Sequence, residues 1–406
     1  MCFGGFRPTK LVEEPWALAR GALLPFNPME ETSRLKILKE FKSISSREYQ
    51  EITPLLPMDR MSIGFFCPYV PEELIHAAGG HPFRLMGTPI KISHVQAHLP
   101  PYCCHLVKSS LESLLQEELH FLKGIVFTHS CDSMLGLSDI WALQKPFPIH
   151  FNLMIPSHFD SQQSRVYLKA EIERFKDFLD SHIGKITPQN LKASIQLFNR
   201  IRESLRETYQ RRRRDASQLP GKAFAQIIRA GYLMDRSRYL ELLKELLGAL
   251  EEKSDGNKDR VPIYVAGNMT HSDTWFSLIE DAGAIIIQDD LCSGARTFRL
   301  MVREDLDPIE ALTERYFNSY FCPTKYRGAQ AHLESLLKDV QDSGAKAVIF
   351  LLYKYCEAHF FDYPDLKLAL ESKGIPTLLL EVEDPSYSIE QLKIRIQAFV
   401  EMLSPF

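Results

Sequence analysis

An α/β protein with two doubly wound parallel sheets is what this sequence predicts, on three observations. Short, continuously apolar runs, the mark of strands buried on both faces, alternate with segments of helical periodicity. One unit of strand, cysteine loop, helix and strand spans Gly344 to Glu383, with Cys356 just past its first strand. The same unit occurs earlier, from Gly124 through Cys131 to Ile155. Such internal similarity predicts two like halves, each offering thiols from the sheet edge where open α/β sheets hold ligands.

The elements follow in order. Residues 1–60 form a mixed N-terminal segment with helical character from Glu31 to Phe41. A first α/β domain is expected over 61–161. In it, Met61–Phe66 reads as a strand ended by Cys67, and Pro71 opens a helix over Glu72–Ala78 that Gly79-Gly80 closes. Phe83–Met86 is a short strand, and Leu106–Leu122 has helical periodicity. Cys104 then sits at a helix N-terminus, where amide groups and the dipole favour a thiolate. Residues 162–255 are expected to be a helical region and linker. Leu168, Ile172, Phe175 and Leu179 share one helical face, as do Leu191, Ile195, Phe198 and Leu205, with Thr187-Pro188 as cap and first turn between them. Polar Glu251–Arg260 marks the boundary. The second α/β domain, 256–406, holds strands at Val261–Asn268, Ala284–Gln288, Ala347–Leu352 and Thr377–Val382. Helices are expected at Asp307–Tyr320, Gln330–Gln341 and Asp365–Ser372.

Composition excludes several function classes. With 45% apolar and 25% charged residues the chain has a globular protein's make-up, and its 406 residues suffice for two cores. A formal charge of −4 gives no case for nucleic acid, and the basic run Arg211–Arg214 reads as a solvated helix face. Met1–Pro8 lacks the apolar core of a signal peptide, and no uncharged stretch reaches the ~20 residues of a membrane span. The chain is therefore read as cytoplasmic, with neither nucleic acid nor membrane as partner. Thiols stay reduced there, so the eight cysteines are buried hydrophobes or metal ligands rather than disulfides.

Setting aside Cys2 and Cys103 leaves Cys67, Cys104 and Cys131 in the first half and Cys292, Cys322 and Cys356 in the second. Thiolates suit soft metals and iron–sulfur clusters, and sheet-edge loops bringing thiols from both halves together predict such a centre between the halves. The spacings exclude the local CxxC of a zinc ribbon. His129 and His150 read as structural. Asp289-Asp290 are either paired carboxylates beside a reactive centre or caps of the following turn. Lys354 and Arg296 either stabilise an anionic cluster or form surface ion pairs. Without GxGxxG or a P-loop, nucleotide binding by this chain is not expected.

From about Met61 onward the chain resembles the 2-hydroxyacyl-CoA dehydratase and benzoyl-CoA reductase family. The match rests on Cys67 with Pro71-Glu-Glu-Leu74, on Cys104-His-Leu-Val-Lys-Ser109, on His129-Ser-Cys131-Asp132, on Asp289-Asp-Leu-Cys292-Ser-Gly-Ala-Arg296 and on Tyr353-Lys-Tyr-Cys356. The Cys-x-x-x-Lys-Ser match favours Cys104 over Cys103. The resemblance implies a pair of flavodoxin-like domains with a cluster between them. In dehydratase subunits three cysteines, mapping onto Cys67, Cys104 and Cys356, hold one [4Fe-4S] cluster with an iron open to substrate. The further Cys131, Cys292 and Cys322 make the set resemble the double-cubane branch of the family, in which two cubanes share a bridging sulfide.

That resemblance implies a homodimeric, ATP-dependent reductase of small unsaturated molecules. It would hold a double-cubane [8Fe-9S] cluster fed by a separate iron–sulfur ATPase, so that ATP enters only through that partner. The alternatives are a 2-hydroxyacyl-CoA dehydratase component and a non-enzymatic electron-storage or cluster-carrier protein.

Overall fold

Gly64, between apolar neighbours in a short run buried on both faces, starts the first sheet. The structure is a computed structural model, describing residues 28–404 except 252–256, 258, 271, 320–321, 329 and 384–388. Cys2, the leader reading at Met1–Pro8 and much of the polar link lie outside the described residues. The first sheet comprises β1 (Ser62–Phe65), β2 (His81–Arg84), β3 (Leu122–Thr128) and β4 (Ile149–Leu153). The second comprises β5 (Val261–Gly267), β6 (Ala284–Leu291), β7 (Ala347–Tyr353) and β8 (Thr377–Val382). Their orders, β2-β1-β3-β4 and β6-β5-β7-β8, are the same winding, and every pairing is parallel. The doubly wound expectation holds.

Thirteen α-helices and four single-turn 3-10 helices complete the described residues. In and around the first sheet lie α1 (Pro28–Ser45), α2 (Glu72–Ala77), α3 (His105–Leu115) and α4 (Asp132–Gln144). The intervening segment forms α5 (Gln162–His182), α6 (Pro188–Arg214), α7 (Gly221–Leu233) and α8 (Arg236–Ala249). Around the second sheet lie α9 (Thr274–Asp281), α11 (Ala331–Ser343), α12 (Glu357–Glu371) and α13 (Ile389–Leu403), while α10 (Pro308–Phe317) packs against α5 and α6 beside the first sheet. The two apolar faces expected on α5 and α6 are buried as read, and Thr187 forms a full capping box with Asn190.

Four local expectations change. The helix expected to reach Leu122 ends at Leu115, because the chain turns through Glu117 at φ 59° and then enters β3. β6 runs on to Leu291, which places Asp289 and Asp290 on the strand instead of the loop. α12 begins directly after Cys356 and carries Pro364 inside it, so the segment between Cys356 and Asp365 is helix. The run Arg211–Arg214 is not uniformly solvated: Arg212 is fully buried, ion-paired to Glu280 and bonded to the Ile286 carbonyl.

The halves share an interior. Phe66, Phe83 and Phe127 of the first sheet pack in one cluster with α7 and α8 residues and with Ala295 and Phe298 of the second half. A second cluster joins Phe65, Val126 and the α5 face to Leu312, Tyr316 and Cys322. Beneath it, fully buried Glu73 is ion-paired to Arg202 and accepts from Tyr316 Oη at 3.2 Å, locking α2 to α6 and α10.

Glu112 ties the loop before α3 to that helix. Its carboxylate accepts from the amides of His94 and Val95 (both at 2.9 Å), from Ser93 Oγ and from Gln116 Nε2 (both at 2.8 Å). Burial opposes ionisation, but the Val95 amide and then His94, Gln116 and Ser93 outweigh it, holding the carboxyl at about 2 against an ordinary 4.5. A depressed folded-state value gives stability that is present above the unfolded value and is lost as pH falls through the folded one. Linkage makes this on the order of 3 kcal/mol, lost between about pH 4.5 and pH 2. Urea midpoints measured across that window should fall steeply for the natural chain, and Glu112→Gln should remove this part of the slope. An unchanged slope in the variant would contradict the assignment.

Candidate metal centre

Equivalent strands deliver equivalent thiols. Cys131 follows β3 and caps α4, while Cys356 follows β7 at the same interval and caps α12. Cys104 caps α3. Cys67 follows β1, and the topologically equivalent position after β5 is held by Met269. Cys292 turns off the end of β6, and Cys322 lies beyond α10. In both sheets the central pair, β1/β3 and β5/β7, is where the winding reverses, and the loops leaving its carboxyl ends meet.

All seven described cysteines are unbridged. Six form two mutually interacting trios. In one, Cys292 raises the thiols of Cys67 and Cys322, and Cys67 adds to the shift at Cys322. In the second, Cys131 raises the thiols of Cys104 and Cys356, Cys104 adds to the shift at Cys356, and Cys103 acts on Cys104 as well. Cys131 and Cys322 join the trios. Each trio therefore draws from both halves of the chain, whereas sequence order had suggested one trio per half. Packing cuts across this grouping: Cys67 and Cys322 border one apolar cluster and Cys104 and Cys356 another, but Cys104, Cys131 and Cys292 all border a third. Cys103 is buried, with Ser133 as its hydrogen-bond partner.

Burial dominates the thiol chemistry. It pushes Cys104 and Cys322 up to about 11 and Cys356 to about 12, and it raises Cys67 and Cys131 as well. At Cys104 the Val107 and Leu106 amides act in the expected direction, but burial exceeds them, so the thiolate preference read from its cap position is overturned. Thiols held protonated in this way make poor nucleophiles. A bound metal cation would supply the positive charge that deprotonates them.

Polar groups aim at the sulfurs. Arg296 Nη1 lies 3.2 Å from Cys292 Sγ, Asn268 Nδ2 donates to Cys356 Sγ at 3.0 Å, and the Thr324 hydroxyl is 3.2 Å from Cys322 Sγ. Asp290 is the counter-ion of Arg296 at 2.8 Å; burial opposes its charge, but Arg296 and Arg299 hold its carboxyl well below the usual range. Asp289 instead caps the turn, accepting from Leu291 and Ala295 amides and from Tyr209 Oη. The two acids thus divide the roles between them. Lys354 makes a half-exposed ion pair with Glu383, and His150 bonds Ser138 while stacking on Phe127, both structural roles.

Arg84 and Lys325 went unnoticed in the sequence. Arg84 is fully buried and bonds the carbonyls of Phe66 (3.0 Å) and Cys292 (2.7 Å), clamping the loops of two thiols from opposite halves. Lys325 Nζ donates to the His129 carbonyl at 2.9 Å and ties the Cys322 loop to the Cys131 loop. Arg84 ends β2 between Phe83 and Leu85, and a charged residue between apolar neighbours was the available signal. Among the described residues no three His, Cys, Asp or Glu side chains stand close enough to share one ion. Nor is any helix among them long and apolar enough to cross a membrane.

Known proteins agree with the motifs. A family model described as 2-hydroxyglutaryl-CoA dehydratase, D-component, matches residues 67–403. The chain is 24% identical to the (R)-phenyllactyl-CoA dehydratase beta subunit of Clostridium sporogenes, covering 91% of this chain and 99% of that one. It is 26% identical to the lactoyl-CoA dehydratase subunit beta of Anaerotignum propionicum (84% and 91%) and 25% identical to a benzoyl-CoA reductase subunit of Thauera aromatica (88% and 94%). The match to the family model spans the whole thiol set, and the chain belongs to the 2-hydroxyglutaryl-CoA dehydratase D-component family, which the cysteine motifs had indicated.

Proposed function

We propose that this chain is a low-potential reductase of small unsaturated molecules, with a double-cubane [8Fe-9S] cluster held by Cys67, Cys292 and Cys322 on one side and Cys104, Cys131 and Cys356 on the other. The carrying observation is that hydrogen bonds bring thiol loops of both halves together, Arg84 joining the Cys67 and Cys292 loops and Lys325 the Cys322 and Cys131 loops. A single ion needs its donors around one point, and no such gathering is present among the described residues. A cluster places each thiolate on a different iron, so its ligands need not meet at one point. When bound, the cluster would supply low-potential electrons to the substrate.

The chain's own groups act on the sulfurs and their surroundings. Arg296 brings a buried positive charge against Cys292, and Asn268 and Thr324 offer donors to Cys356 and Cys322, which favours charge on sulfur. Cys322 is buried and the other five thiol residues are partly buried against apolar clusters, which limits water at the sulfurs. A separate iron–sulfur ATPase would deliver the electrons, and a homodimer is the expected assembly. The relatives' names as subunits support working with a partner polypeptide.

A second reading is favoured by those same names: a 2-hydroxyacyl-CoA dehydratase component with one [4Fe-4S] cluster on Cys67, Cys104 and Cys356. Iron and sulfide analysis of the anaerobically purified chain separates them. About eight iron atoms per chain are expected for the double cubane and about four for the single cluster.

A further inference from the structure

A cleft of about 460 Å³ lies beside the thiol group but contains none of its sulfurs. That is the size of site that encloses a small organic ligand. Its walls come from three carboxyl ends of strands: Met86 and Thr88 after β2, Thr270 after β5, and Ser293 and Gly294 after β6. β2 and β6 occupy equivalent edge positions in the two sheets, so the cleft lies between matching corners of the halves. Its floor is pinned, because the Thr270 amide donates to Ser293 Oγ at 3.0 Å. Ser293 is also the residue next to Cys292, so a ligand on that floor adjoins the turn that carries this thiol.

The lining has two chemistries. Met86, Phe224, Ile228 and Phe276 make an apolar wall. Arg229 and Lys222 from α7, with Lys42 and Arg47 at the end of α1, bring cations to it. Three of the lining acids already have donors. Glu118 accepts from Gln50 at 2.9 Å, Asp273 has Gln226 and Lys222, and Asp289 caps its own turn. Glu48 stands exposed at the rim. Arg229 is half-buried, and burial lowers its pKa by more than its neighbours Tyr49, Asp273 and Tyr353 restore. An anion in the cleft would restore that balance.

We infer that this cleft binds a small molecule with an apolar body and one anionic end, the body against Phe224 and Met86 and the anion on the α7 cations. The inference rests on the reductase reading only for the identity of this ligand as the substrate to be reduced; the binding site itself stands on the cleft's geometry.

The test uses the full chain, purified anaerobically with its iron, and calorimetric titration with 2-naphthoate and its uncharged match 2-naphthamide. The acid is expected to saturate at one per chain, at least about tenfold tighter than the amide. Arg229→Met should remove most of that preference, and Ala225→Trp, which fills the α7 wall, should weaken both probes by about tenfold or more. Equal affinity for acid and amide in the natural chain would overturn the inference, as would a preference that survives Arg229→Met. Should Arg229→Met fail to fold, undiminished binding in Ala225→Trp overturns it as well. Iron is measured on the same samples. A chain without iron would refute the reductase reading, while the titration would still decide the cleft.

Discussion

Replacing Cys322 with alanine is expected to lower the iron of the anaerobically purified chain from about eight atoms to about four. Cys322 belongs to the trio with Cys67 and Cys292, so its loss leaves the Cys104, Cys131 and Cys356 trio intact. Cys356→Ala should give the complementary result, losing the second trio and keeping the first. The single-cluster reading expects otherwise, because Cys322 is no ligand there and Cys356 is. Under it Cys322→Ala keeps all its iron, and Cys356→Ala loses it. Iron and sulfide assays with electron paramagnetic resonance on both variants decide between them. Cys322 is buried, and alanine there removes little volume, so both variants should fold.

Arg84→Met should cost on the order of 3–5 kcal/mol of stability and also reduce iron uptake. The guanidinium serves the Phe66 and Cys292 carbonyls and Tyr232 Oη, and it lies over the Tyr232 ring at 4.8 Å. Methionine fills the space but leaves those buried oxygens without a donor. Arg84→Lys retains charge without the fork and should fall between the two. A purely structural role would change the urea midpoint alone. A clamp on two ligand loops should also change the resonance spectrum of whatever cluster remains, and should do so in the lysine variant, where more of the fold's stability survives. A variant with normal iron and an unaltered spectrum would show that Arg84 does not set the ligand loops.

The sequence announced the two sheets because Ala347–Leu352 and Gly124–Thr128 are apolar runs too short for helices, each ending in a cysteine loop. It also put Cys131 and Cys356 at matching positions, and the structure agrees. Which thiols meet was not legible. Chain order separates Cys67 from Cys292 by the whole helical region, and only the shared interior brings their loops together. Arg212 was misread for a related reason: four arginines in a row look solvated, yet one helix face points inward at Glu280. The cap position of Cys104 was legible, but its consequence was not, because desolvation is a property of the assembled molecule.

Each trio mixes sulfurs from both halves, so neither half alone owns a complete set of donors on this reading. A version of the protein expressed as two separate polypeptides, cut between the sheets, should give fragments that are colourless apart and turn brown only when mixed and supplied with iron and sulfide. The inorganic body would then act as a rivet through the seam, and removing it should let the two lobes part more readily.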